Sequence, residues 1–434
     1  MDPLLIGILA IVVMLILLAL GVSVSTSIGI SAVIGLMFLL PSAWQTRSGI
    51  SPFQTIDNYN MAVLPMFALM AMIIMHTGVG SKLFDAFYKL VGRMPGGLAM
   101  ASILACAIFA AISSSGAATA ITVGLIALPE MQKAKYKNYL AGASIAAGGT
   151  LGPLIPPSNP VLNYCIMTGT SILTMFSAVV IPGIIFAVLY CITVLIICKV
   201  DPAAGPKGPK FTPREILSAF SKCGEILLLI IIVLGGMFAG LFTPTEAAAI
   251  GAAGSIIITL ARRVLTWKKF VEAVKGAMKN CGMIYAIFIA AHMFNYVMAL
   301  SRLPTMIANW VATMNIGPTV VVIVMVLILL VMGCFMDGLG LLVLTVPIFF
   351  PIADALGVDA VWFGVVFIIC IQMCVTTPPV GMNLFHVKSL DPDNISLTDL
   401  YKGAYPFVAA QVVGLALLFV FPSLTSFLPA ILRG

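Results

Sequence analysis

Charge is what this sequence has least of. Only 9% of its 434 residues are charged, against about 25% in ordinary soluble domains, while 61% are hydrophobic. A surface of that composition does not stay in water, so a soluble globular protein is excluded and a polytopic membrane protein is expected. No basic stretch is interleaved with aromatics, which argues against nucleic-acid binding although the net charge is +7. In a membrane protein such a balance reflects cytoplasmic loops. None of the nine cysteines forms a CxxC pair; most lie in apolar runs such as "SILACAIF" and read as small buried residues. There is no HExxH, Walker loop or nucleophile elbow, and Ser113 to Ser115 have no His partner in sequence. Paired catalytic groups are missing, so no enzyme is expected.

What is there is apolar length. A spanning helix needs roughly 20 apolar residues. Ten runs qualify: 4–22, 24–41, 60–77, 139–166, 173–198, 224–241, 244–261, 281–300, 361–387 and 404–428. The first has no Lys or Arg before it and no clear small-residue cleavage site, so it reads as a retained helix rather than a signal peptide. Two more apolar segments, 96–131 and 318–353, are interrupted in the middle. Basic sequence flanks the first on both sides, "SKLFDAFYKLVGR" and "EMQKAKYK", and both flanks favour the cytoplasm. That predicts a re-entrant hairpin with "ISSSG" at its tip. The second segment predicts a hairpin entering from outside with "FMDGLG" at its tip. With both termini outside, only Arg47, Arg302 and Arg433 of the 22 basic residues lie outside.

The chain also repeats itself. A shift of 222 residues superposes Gly116 on Gly338, Pro129 on Pro351, Gly142 on Gly364, and Pro156 and Pro157 on Pro378 and Pro379. A period this long marks a duplicated half rather than a solenoid. Five crossings separate the two hairpins, and an odd number inverts the second copy. The expected organisation is a first repeat over 1–198, a cytoplasmic linker over 199–222 that is rich in Pro, Gly and Lys, and a second repeat over 223–434. In the first repeat the scaffold helices span 4–77; in the second they span 224–300. Inverted repeats interrupted at matching positions point to a secondary transporter with its sites near the midplane.

Proline breaks at "GPLIPPSNP" and "TTPPVG" leave backbone carbonyls without helical partners, which membrane depth tolerates only beside protein or a watery cavity. Several oxygens in one place suit a hard cation such as sodium. Ser114 and Ser115 with Pro156, Pro157 and Ser158 form one candidate sodium site. Asp337 and Gly338 with Thr376, Thr377 and Gly381 form the second. Ser113, Gly116, Asn159, Pro378 and Met382 are the candidate substrate residues, and half-helix N-termini in the same space suit an anion. No organic cofactor or other metal is expected.

At these residues the chain resembles the large membrane subunit of tripartite ATP-independent periplasmic (TRAP) transporters of the C4-dicarboxylate type. The matching stretches are "GLFTPTEAAAIGA", "GGTLGPLIPPS", "GCFMDGLGLLVLTVPIFFPIADALGVDAVWFGV" and "TTPPVGMNLF", and with the apolar runs between them the resemblance covers nearly the whole chain. It implies an all-α, elevator-type ion-transporter-like fold of about ten transmembrane helices plus two re-entrant hairpins. It implies sodium-coupled uptake of an organic acid (a dicarboxylate, sialic acid or another carboxylate) across a bacterial inner membrane. It further implies two partners, a small four-helix membrane subunit and a periplasmic solute-binding protein; no extra N-terminal helices suggest fusion to the former. Three positions depart from the family pattern: Thr119 where an acid is usual, Cys374 where glycine is usual, and His386 in place of an aliphatic residue. The rival readings are a stand-alone sodium/dicarboxylate symporter, which would need no binding protein, and an anion channel.

Single residues carry two readings each. Asp337, an acid in an apolar segment, reads as functional or as a half-helix cap. Glu246 after "FTPT" reads as a first-turn cap partner of Thr243 or Thr245, or as a partner contact. His292 and Asn295 suit interhelical hydrogen bonding or substrate contact, and His76 at a helix end is uninformative. Residues 82–93 have helical apolar spacing and a basic face, as an interfacial helix does.

Overall fold

A computed structural model describes residues 2–75, 78–313, 316–334, 336 and 338–433. Every regular element among them is helical. Five helices are long and apolar enough to span a membrane, or up to seven if each of two bent pairs is one span. The shortfall from ten runs has a physical origin, because several runs are interrupted or end early. Pro3–Ala19 and Val24–Leu39 have 17 and 16 residues. The run 139–166 divides into Asn138–Gly149 and Asn159–Thr168, and 361–387 into Ala360–Cys374 and Met382–Lys388. The run 404–428 stops at Phe421, before Pro422, and resumes as Ser423–Arg433, as a residue preceding proline is pushed out of helical geometry.

Other helices lie where composition hid them. Trp267–Ser301 extends well before the apolar run at 281, because its early turns carry Lys268, Lys269, Lys275 and Lys279. Leu303–Thr313 was not anticipated, nor was Trp44–Ile56, which meets the following helix at a 56° bend. The segment expected to be a linker carries the helix Pro213–Ser221, opened by a capping box in which Glu215 Oε2 accepts the Thr212 N–H at 2.7 Å. That helix packs on Val79–Val91, the basic amphipathic segment, with Phe87 and Phe220 edge-to-face at 5.4 Å. Thr243 and Glu246 form a second capping box, Glu246 Oε2 accepting the Thr243 N–H at 2.8 Å.

Packing cuts across the sequence halves. Val24–Leu39 of the first half lies along Trp267–Ser301 of the second, and Val63–Met75 lies along Pro244–Ala261. A second group gathers the two interrupted segments, both broken helices, Ile172–Val200 and Leu397–Val420. It meets the first group chiefly through Gly338–Ala355, which packs on Trp267–Ser301, and through Gly97–Ser113, which packs on Val63–Met75.

Candidate functional site

The first interrupted segment forms the helices Gly97–Ser113 and Gly116–Lys133, packed on each other. The chain turns because Ser114 takes a left-handed φ of +52°, and Ser115 then caps the second helix, its hydroxyl accepting the Ala118 N–H at 3.4 Å. The tip touches the break over 150–158. Ser114 Oγ donates to the Pro157 carbonyl at 2.8 Å, and Ser158 Oγ turns back to the Pro153 carbonyl at 2.6 Å. Glycine allows the approach: a Cβ on Gly116 would sit 2.8 Å from the Gly149 carbonyl oxygen, and one on Gly152 would sit 2.8 Å from the Gly116 nitrogen. Thr119, where the resemblance leads one to expect an acid, is fully buried and shares a 2.6 Å hydroxyl–hydroxyl bond with Ser113.

The second half repeats the arrangement with looser ties. Pro318–Gly333 and Gly338–Ala355 are the arms of the second interrupted segment, and Ala360–Cys374 and Met382–Lys388 flank the second break. Asp337 lies outside the described residues, as does His76. Thr376 and Thr377 donate to the Met373 carbonyl at 3.1 and 2.6 Å. Gly381, at φ +61°, opens the short helix Met382–Lys388. Cys334 Sγ reaches the Pro378 carbonyl only at 3.8 Å. Cys374, where the resemblance leads one to expect glycine, donates its thiol to the Leu329 carbonyl at 3.4 Å. The Pro156–Pro157 and Pro378–Pro379 peptide bonds are both cis.

These elements enclose one cavity of about 370 Å³. Ser113, Ser114, Ser115 and Gly116 line it from the hairpin, Asn159 from the first break, and Gly338 and Met382 from the second half. Pro156, Pro157, Ser158, Thr376, Thr377, Pro378 and Gly381 do not; they stand behind its walls, and Pro157 lines a separate void of about 10 Å³. Sequence reasoning missed the amides. Asn163, Asn280, Gln372 and Asn383 all face this cavity, and Asn163 Oδ1 is buried without a hydrogen-bond partner. A polar amide inside an apolar run, as in "VLNYCIM" or "IICIQMCV", was the signal available. His386, the third family departure, also lines the cavity.

The electrostatics follow from the backbone. Three helices, Gly116–Lys133, Asn159–Thr168 and Gly338–Ala355, begin at the cavity wall. Each brings the partial positive end of its dipole there. Among the described lining residues there is no Lys or Arg.

Helices broken within apolar segments, with their ends gathered on one largely apolar cavity set with a few amides and hydroxyls, fit a membrane transporter. The comparisons agree and go further. The family profile described as "Tripartite ATP-independent periplasmic transporter, DctM component" matches residues 11–424, and the chain belongs to that family. It is 32% identical to the C4-dicarboxylate TRAP transporter large permease protein DctM of Pseudomonas aeruginosa, over 93% of each chain. It is 33% identical to the sialic acid TRAP transporter large permease protein SiaM of Vibrio cholerae, over 87% of this chain and 88% of that one. The isethionate TRAP transporter permease protein DctMQ of Oleidesulfovibrio alaskensis is 30% identical over 95% of this chain and 64% of its own length. In fold, the chain is similar to the Alcanivorax borkumensis YdaH transporter, with a TM-score of 0.62 and 13% identity over 89% of this chain and 90% of that one. Neisseria gonorrhoeae MtrF gives 0.61 and 12% over 88% and 85%.

Proposed function

We propose that this chain is the large membrane subunit of a sodium-coupled importer of an organic acid. The acid is delivered by a periplasmic solute-binding protein, and a small four-helix membrane subunit completes the complex in a bacterial inner membrane. Both termini of the chain are periplasmic. Three helix N-termini gathered on one cavity that has no Lys or Arg among its described lining residues carry the reading. Such a site attracts an anion through peptide dipoles and leaves its net charge to be balanced by a co-bound cation. Relatives named for C4-dicarboxylates, sialic acid and isethionate point to the same ligand class. Oxygen ligands for sodium are available where the Ser114 hydroxyl meets the Pro157 carbonyl, and at Thr376 and Thr377. An elevator movement is favoured by packing, since hairpins and broken helices gather in one group that is distinct from the scaffold helices.

The test is uptake in proteoliposomes with both partners present. Accumulation should follow an inward sodium gradient, saturate with ligand-loaded binding protein, and support counterflow. Uptake at full rate without the binding protein would favour a stand-alone symporter. Ion flux without either partner would favour a channel.

A further inference from the structure

Behind the cavity runs a second polar feature, none of whose four members lines it. Thr150, Tyr190, Gln411 and Thr376 are all buried, at 0%, 0%, 0% and 2% exposure, and form one continuous chain of hydrogen bonds. Proton bookkeeping gives it a direction. Thr150 Oγ1 donates to the Ala147 carbonyl at 2.7 Å, so its remaining capacity is to accept, and the Tyr190 hydroxyl donates to it at 2.8 Å. Gln411 Nε2 donates one hydrogen to the Tyr190 oxygen at 2.8 Å and the other to Thr376 Oγ1 at 3.2 Å. Thr376 donates onward to the Met373 carbonyl. Gln411 Oε1, 3.3 Å from Thr376 Oγ1, is a second acceptor for that hydroxyl, so every hydrogen in the series has an acceptor within reach. Its ends are carbonyls in the last turns of Asn138–Gly149 and Ala360–Cys374, the two helices that stop at the breaks. Buried networks satisfied in this way hold a single geometry, because each unpaired member would be costly.

The two central residues come from different halves. Tyr190 lies on Ile172–Val200 and Gln411 on Leu397–Val420. They stand 221 residues apart, within one residue of the offset that superposes the prolines of the repeats. Neither lines the cavity. The Tyr190 ring is wedged edge-on between Phe186 and Phe407, with centroids at 6.1 and 5.8 Å, so the ring has apolar support apart from its hydroxyl.

We propose that Tyr190 and Gln411 are positioning residues that hold the two breaks in a common register, so that a ligand engaging one break is felt at the other. As a statement about transport, this rests on the reading above that the breaks flank the binding site. Coupling of this kind is reciprocal: loosening either end loosens both.

Hydrogen exchange on the full chain in nanodiscs tests it without any ligand. Tyr190→Phe keeps the ring and removes the hydroxyl; Gln411→Leu removes the amide. Each variant is expected to speed amide exchange in both 150–158 and 375–381, and the double variant to go no faster than either single one. Acceleration confined to 150–158 for Tyr190→Phe and to 375–381 for Gln411→Leu, summing in the double variant, would overturn the inference. Should either variant fail to insert, Thr376→Val read at 150–158 replaces it, with Thr376→Ser expected to restore slow exchange there and an unchanged rate in Thr376→Val counting against coupling. In uptake assays Tyr190→Phe should raise the half-saturating sodium concentration about tenfold, the scale of one lost buried hydrogen bond, with the maximal rate kept within about twofold. Wild-type uptake indifferent to sodium would sink the transport reading instead, and the exchange result would still decide the coupling.

Discussion

The two hairpin segments begin with helices of similar length and opposite character. Gly97–Ser113 reads "GLAMASILACAIFAAIS", and 15 of its 17 residues are buried. Pro318–Gly333 reads "PTVVVIVMVLILLVMG", and only six of its 16 are buried, with Val320, Leu327 and Val331 at least half exposed. Small side chains let backbones approach closely inside a membrane protein, so the first arm nests among neighbouring helices. Large branched side chains fill an outer surface, so the second arm lies on the outside of the chain. The repeats share their breaks but divide the work: one hairpin is built into the protein, the other lies along its edge.

That asymmetry can be broken experimentally, and the largest effect is expected at the glycines. Gly152→Ala drives a Cβ against the backbone of Gly116 and Ser115 at 2.8–3.0 Å. It should cost about 3 kcal/mol and show as a lowered unfolding temperature in detergent. Gly338→Ala meets the Ile371 side chain, which can turn aside, and should cost about 1 kcal/mol. Equal losses would erase the distinction between the two tips.

Next come the arms themselves. Ile103 is fully buried and Leu327 is 57% exposed. Ile103→Ala should lose about 3 kcal/mol, and Leu327→Ala should stay within about 0.5 kcal/mol, by thermal unfolding of the two variants side by side. A comparable loss in Leu327→Ala would show that the second arm is covered.

A smaller effect sharpens the comparison at the site. Ser114→Gly keeps the left-handed turn, which glycine tolerates, and removes the hydroxyl that holds Pro157. The half-saturating sodium concentration for uptake should rise about tenfold. Cys334→Ala, which removes the long contact to Pro378 together with a thiol bond to Leu330 in its own helix, should change it less than about threefold.

The smallest effect lies at the foot of the first hairpin, away from the cavity. Gln132 Nε2 there donates to Asp391 Oδ2 at 2.6 Å in the loop after the second broken helix. This bond, with help from Asn394, holds the Asp391 carboxyl below the ordinary carboxylate value. Its stabilisation is therefore complete above that ordinary value, about 3.9, and is lost as pH falls through the folded one. An acid titration of thermal stability should show a slightly shallower loss in Asp391→Asn than in the wild type.

Much of this was legible in the residues. Proline pairs and Ser/Gly turns located both breaks and both tips, because proline and glycine act on the backbone where they stand. The cavity-lining amides were not legible as a group. Asn163, Asn280, Gln372 and Asn383 lie on four different helices, and only the packing brings them together. The Thr150–Tyr190–Gln411–Thr376 series was hidden for the same reason. Helices such as Pro213–Ser221 and the early turns of Trp267–Ser301 escaped because their charged, polar sequences read as loop, whereas capping and tertiary contact make them helical.

A grip built from peptide ends has an evolutionary corollary. Alanine scanning leaves main-chain donors untouched, so much of the hold on the acid group would survive such a scan. The amides around it can be exchanged one at a time to suit a new cargo while that hold persists. On this view one backbone frame serves relatives that carry chemically different acids, and selectivity is retuned by the side chains that rim it.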